Sequence, residues 1–283
     1  MAGPGVLAAG ARRGLVALAS ITGATVVNTI GAKGVFRWDD PLHGGTVGLQ
    51  EGDAELAEIT TADLVVTTGL DPADSQSLTA TLDDRRAAEP GAVVDVHPAH
   101  LALAAGGWPP ADRPGPRPPI YDRIAAIVGP MYAADPDATG AVPPPAAASA
   151  LAASLPAGGL VVASPGPAGF WIGRTFPTTE PGSVIITTGD PPGTAEAVAL
   201  LAARSGRAVT LVVDEEPDPS IADSLDDLRE RMLAVERWRS EAGDGRSEST
   251  QVRAVAVEWS AIESLVLVAG RPDREVWAGL RPQ

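Results

Sequence analysis

Several residues in this sequence are of types that do chemistry. Lys33 is the only lysine in the chain, and it lies between glycines in "TIGAKGV", after the β-branched run "ATVVNTIG" (24–31). A lysine in a glycine-rich loop after a strand can meet a phosphate; the alternative is a turn that happens to hold a lysine. Arg12 and Arg13 follow Gly10 in "GVLAAGARRG" (5–14). Two guanidiniums at such a strand–helix junction could clamp a diphosphate, or simply be solvated. Gly69 closes the apolar run "DLVVTTG" (63–69), and Asp95 lies at the end of "GAVVDVHP" (91–98). A carboxylate at a strand's carboxyl end is a ribose candidate in Rossmann-type sites, although no clean G-x-G-x-x-G is present. His97 and His100 could hold a metal, but a plain turn is the stronger reading. Asp214 and Glu215 end the strand-like "AVTLVVDE" (208–215). No Ser-His-Asp order, P-loop or zinc spacing appears.

These residues need a frame, and the patterning supplies an α/β one. In the first third, "RRGLVALASITG" (12–23), "DAELAEITTA" (53–62) and "DSQSLTATLDDRRAAE" (74–89) read as helices. They alternate with four short apolar runs, the first being "GVLAAG" (5–10), which argues a parallel, doubly wound sheet. "IYDRIAAIVG" (120–129) is a further helix, and residues 131–157 read as a Pro/Ala-rich linker. The alternation then resumes. "GLVVAS" (159–164), "SVIITTG" (183–189), "AVTLVVDE" and "VRAVAVEW" (252–259) are strands. "GTAEAVALLAARSG" (193–206) is a helix with Thr194 as N-cap and Gly206 as C-cap, and 220–243 is expected as the longest helix. "AIESLVLVAG" (261–270) suits a short helix or a strand. The expected domains are 1–130, the linker 131–157, and a smaller α/β domain at 158–283.

Composition limits the partners. A net charge of -15 repels phosphate backbones and anionic lipid, so no nucleic-acid or membrane-surface role is expected. With no cysteine there is neither disulfide nor thiolate chemistry, which fits a cytoplasmic location. No apolar stretch has bilayer-spanning length.

The ordered set "VVNTIGAKGVFRWDDPLHGGTVGLQ…AELAEITTADLVVTTGLDP…GAVVDVHPAHL" resembles the central domain of the thiamine diphosphate enzymes, the acetolactate synthase family and its decarboxylase relatives. Thr29, Lys33, Gly34, Pro41, Leu42, Gly45, Gly48, Asp63 and Gly69 sit at matching places over about 100 residues. The resemblance implies a Rossmann-like domain of the DHS-like NAD/FAD-binding kind, which in some relatives holds FAD or an ADP-type regulator. Gly10, Arg12, Lys33, Gly69 and Asp95 are the candidates for such a ligand. On the family's pattern Lys33 is read preferentially as a structural loop residue paired to Asp39 or Asp40.

The second half is similar, more faintly, to the family's diphosphate- and Mg²⁺-binding C-terminal domain. There a strand ends in Gly-Asp-Gly and the acid holds Mg²⁺, which takes hard oxygen ligands. In the preferred register this chain has Val213-Asp214-Glu215, with both glycines lost. In the other, Gly189-Asp190-Pro191 carries the acid, and Asp214 or Glu215 joins it. "SPGPAGFWIGRTFP" (164–177) matches a loop near the cofactor and is read as a core or interface patch. No residue here corresponds to the pyrimidine-binding domain's ylide-forming glutamate. The resemblance therefore implies a non-catalytic, structural or nucleotide-binding subunit and a homo-oligomer. The alternative is one half of a split thiamine diphosphate- and Mg²⁺-dependent lyase or transferase, acting on a 2-oxo acid with a separate pyrimidine-binding chain.

Overall fold

The computed structural model describes residues 1–112, 115–133, 141–188, 191–215, 232–240, 252–274, 277 and 280. The chain divides into two compact α/β units, Met1–Ala126 with Leu265–Arg274, and Ile127–Ser264 with Glu275–Gln283.

Unit 1 opens with α1 (Gly5–Ala8) and α2 (Arg12–Thr22), which ends on Gly23 at φ 65. Then come β1 (Val26–Asn28), β2 (His43–Thr46), α3 (Asp53–Leu56), β3 (Val65–Thr67), α4 (Gln76–Ala88), β4 (Val93–Asp95) and α5 (Leu101–Gly107). β1 pairs in parallel with β2, and β3 with β4. Ala2 bridges Asn28 on one side and Thr68 on the other, both in parallel. The resulting order is β2, β1, Ala2, β3, β4. Val6, Leu15, Leu18, Val26, Val35, Phe36 and Leu101 form one buried cluster. Continuous apolar burial of this kind suits a parallel sheet covered by helices.

Two expectations for this unit change. "GVLAAG" starts as a helical turn, because Pro4 already holds αR geometry, and the strand-like residue is Ala2 just before it. The helix expected over 53–62 is a single turn, because Glu58 takes φ 56, which ends right-handed winding.

α6 (Pro119–Tyr132) leads into unit 2, where α7 (Pro144–Ser154) lies within the stretch read as linker and buries Ala146, Ala147, Ala148 and Leu151. β5 (Leu160–Ala163), α8 (Pro167–Thr175), β6 (Val184–Ile186), α9 (Thr194–Arg204), β7 (Val209–Val213), β8 (Leu233–Arg239) and β9 (Val252–Ala256) follow. All five strands are parallel, in the order β6-β5-β7-β8-β9. α9 packs its Ala195, Ala199 and Ala203 on Leu160, Leu211 and Val235. α10 (Ile262–Ala269) carries the chain back to unit 1.

Residues 220–243 do not form one long helix: Leu233–Arg239 is a strand hydrogen-bonded on both sides. Leu233, Val235 and Trp238 are buried between neighbours, and cross-strand pairing overrides the charged, helix-favouring composition. The remainder of that expected helix, 220–231 and 241–243, lies outside the described residues. The expected loop at 164–177 is helical over Pro167–Thr175 and buries Phe170, Trp171 and Arg174 in unit 2. Proline at its first position presets the helical φ. No helix among the described residues is long and apolar enough to cross a membrane.

Candidate functional site

In unit 2 the strand order reverses between β5 and β7. Ligands of open α/β sheets bind outside the carboxyl ends of strands at that point. A cavity of about 550 Å³ lies there. Ser164–Pro167 line it after β5, Thr187 and Pro191–Glu196 after β6, and Val213–Glu215 after β7. The amino ends of α8 and α9 line this space.

Asp214 dominates the site. Its Oδ1 accepts the Ala168 N–H at 2.7 Å, so the carboxylate caps α8. Its Oδ2 is buried and, among the described residues, has no hydrogen-bond partner. Burial pushes the Asp214 carboxyl up to about 7, opposed by the Ala168 N–H and reinforced by the neighbouring Glu215. Two glycines allow this geometry. Gly166 adopts φ +115, and a Cβ there would lie 2.4 Å from Asp214 Oδ2. A Cβ on Gly169 would stand 2.3 Å from the Ser164 carbonyl oxygen, so glycine lets α8 close against the end of β5. α9 starts at Gly193 (φ 84), not with a Thr194 cap; the Thr194 hydroxyl donates to the Pro191 carbonyl at 2.7 Å.

The described lining is acidic. Asp214, Glu196 and Glu215 are its charged residues, and it includes neither lysine nor arginine. Glu196 is 8% exposed. Among the described residues no three His, Asp or Glu side chains are placed to hold a metal ion. Asp190 lies outside the described residues.

The unit 1 candidates are dispersed. Gly10 (φ 62) follows α1 with open space around it. Arg12 Nε donates to the Val35 carbonyl at 2.8 Å. Lys33 is 5% exposed, while Asp39 pairs with Arg37 at 2.9 Å and Asp40 accepts the Leu42 N–H. Burial and nearby Lys33 depress the His43 imidazole to about 4, and His43 Nε2 lies 3.0 Å from Asn28 Oδ1. Gly69 (φ 59) packs its backbone on Gly5 and Val6. Asp95 is exposed, receives the Thr67 hydroxyl, and pairs with Arg86 at 3.2 Å. His43 on β2 and Asp95 on β4 stand four strand spacings apart, roughly 19 Å. His97 and His100 are both exposed, with ring centroids 5.6 Å apart.

The sequence did not single out Asp74. This buried carboxylate accepts the Gly31 N–H at 2.9 Å, and Arg274 Nη2 lies 3.9 Å away. A second cavity of about 540 Å³ lies at the amino ends of β1 and β3, walled by Leu15, Leu18, Ala19 and Ile59.

Comparison with known proteins agrees with this architecture. Residues 1–105 match the family model described as "Thiamine pyrophosphate enzyme, central domain". Over that segment the chain is similar to the central domain of thiamine pyrophosphate enzymes, in line with the resemblance drawn from the sequence. A solved structure described as that of a candidate thiamin diphosphate-dependent enzyme from Mycobacterium smegmatis superposes with TM-score 0.58 at 19% identity. It covers 92% of this chain and 53% of its own, so this chain spans about half the length of that protein. The likeness extends the shared α/β fold over both units. No curated protein matches the sequence.

Proposed function

We propose that this chain is a thiamine diphosphate enzyme-like protein without thiamine chemistry of its own, acting as a structural subunit. The observation that carries this reading is the inward, capping Asp214 at the switch point of unit 2. The family implies thiamine diphosphate with Mg²⁺, and the described residues do not fit that pair. A diphosphate would meet Asp214, Glu215 and Glu196 with no arginine or lysine in the described lining to offset them. Two like charges about 4 Å apart at an effective dielectric of 20 repel by about 4 kcal/mol. Mg²⁺ would need an ionised, outward carboxylate, whereas Asp214 is buried and already accepts from Ala168.

Unit 1 has the Rossmann-like DHS-type character that the central-domain match supports. FAD or ADP there would draw on Gly10, Arg12, Lys33, Gly69 and Asp95. Arg12 and Asp95 are already engaged within the chain, which favours a structural role for the unit. The domain reading 1–130, 131–157 and 158–283 and a cytoplasmic homo-oligomer belong to the same proposal. The second reading is a split enzyme, in which a separate pyrimidine-binding chain completes the site and Asp190 joins Asp214 or Glu215 on Mg²⁺. The 550 Å³ cavity at the switch point favours keeping it in view.

Thermal unfolding with thiamine diphosphate and Mg²⁺, with FAD and with ADP, tests both readings, in the presence and absence of a lone pyrimidine-binding chain. The structural-subunit reading predicts an unchanged melting temperature in every arm. A rise of several degrees only when metal, coenzyme and second chain are together would replace it with the split enzyme.

A further inference from the structure

The segment Leu265–Arg274 belongs to unit 1, and a row of polar contacts holds it there. Pro272 bridges Gln50 in antiparallel register. The Gly52 and Glu51 N–H groups donate to the Ala269 and Arg271 carbonyls at 2.8 and 3.0 Å, and the Asp273 N–H donates to the Leu49 carbonyl at 3.1 Å. Gln50 Nε2 reaches the carbonyls of Leu265 (3.2 Å) and Gly270 (2.8 Å). At the far end Arg274 donates to the Ala73 carbonyl at 2.8 Å, beside the buried Asp74. The segment thus grips two loops, 49–53 and 71–74, and the second places the carboxylate that seals the Gly31 turn.

One residue sits badly in this grip. Asp273 bonds the Leu49 carbonyl through its N–H, and the Leu49 and Gln50 N–H groups donate to Oδ2 of the fully buried Asp53, whose charge acts on Asp273. Glu51 adds a second negative charge, and its Oε2 accepts the Arg271 N–H at 3.3 Å. Among the described residues facing Asp273, Arg274 and the Ser77 hydroxyl favour its ionised form, and Arg274 is shared with Asp74 and Asp71. Burial and these two acids raise the Asp273 carboxyl to about 6.

We propose that Leu265–Arg274 is a pH-sensitive strap, held most tightly on unit 1 while Asp273 is protonated and loosened as Asp273 ionises. The sign follows from linkage. A carboxyl raised in the closed state stabilises closure fully below its free value of 3.8, and that stabilisation is lost as pH rises through about 6. Release unpins Asp74 from Arg274 and frees the Leu49–Asp53 loop, so the device acts on the carboxyl-end face of unit 1. The proposal is independent of the reading of the unit 2 site.

Amide hydrogen exchange on the full chain tests it, with rates corrected for intrinsic pH dependence. The opening constant at Gly52 and Asp273 should rise about tenfold between pH 5 and pH 8 at low ionic strength. Asp273→Asn should hold it flat at the low-pH value, and Glu51→Gln should reduce the rise. A flat wild-type profile, an unchanged rise in Asp273→Asn, or the same rise in the β7 amides would overturn the strap.

Discussion

Each unit turns a carboxylate inward at the carboxyl ends of its strands, and the two are treated differently. In unit 1 Asp74 caps the Gly31 N–H with Arg274 beside it. In unit 2 Asp214 caps the Ala168 N–H, but among the described residues the charge that acts on it is another acid, Glu215. Burial raises both carboxyls; a guanidinium opposes the rise for Asp74, while Glu215 adds to it for Asp214. A buried acid with a cation behaves as a structural joint. One without a cation holds its proton to higher pH, and its crevice offers a bound anion no offsetting charge.

The largest expected effect that would break this contrast is in unit 1. Asp74→Ala strips Arg274 of its carboxylate and the Gly31 N–H of its acceptor, and should cost about 3 kcal/mol of unfolding free energy by denaturant titration. If it cost under about 1 kcal/mol, the joint would not exist.

Gly166→Ala should cost about 2 kcal/mol, because the residue must keep φ +115 and its Cβ would collide with Asp214 Oδ2. Its melting temperature relative to wild type is the readout, and pairing it with Asp214→Ala should recover part of the loss.

For Asp214 itself the expected effect is a pH profile. Its folded value near 7 exceeds 3.8, so the stability it contributes is complete below 3.8 and falls as pH rises through 7. Between pH 5 and pH 8 that loss should be roughly 2 to 3 kcal/mol, and Asp214→Asn should abolish it. Stability measured at both pH values decides the matter; equal slopes in wild type and variant would place the carboxylate in water.

The smallest effect is expected at the exposed Asp95–Arg86 pair: Arg86→Ala should change stability by less than about 1 kcal/mol. A larger loss would make Asp95 a structural residue and remove it from the ribose candidates.

Much of this architecture was legible in the chain. The apolar runs "GLVV" and "TLVV" gave β5 and β7, because buried parallel strands need uninterrupted hydrophobicity. The glycine and lysine pattern around residues 29–69 carried the resemblance to the thiamine enzymes' central domain, and the family match covers those residues. Asp214 was picked from its place after β7, but its inward turn was not, since that depends on Gly166, distant in sequence. β8 was missed because "LAVERWR" carries a charged, helix-like composition and becomes a strand only between β7 and β9. Asp74, Arg274 and Asp273 had no local signal: they meet across about 200 residues of chain.

Isothermal titration of thiamine diphosphate into the chain, with and without Mg²⁺ at pH 7, tests the central claim most directly. The acidic, self-capped crevice of unit 2 predicts no Mg²⁺-dependent heat up to millimolar coenzyme. A saturable, Mg²⁺-dependent isotherm with micromolar Kd that Asp214→Asn abolishes would contradict it.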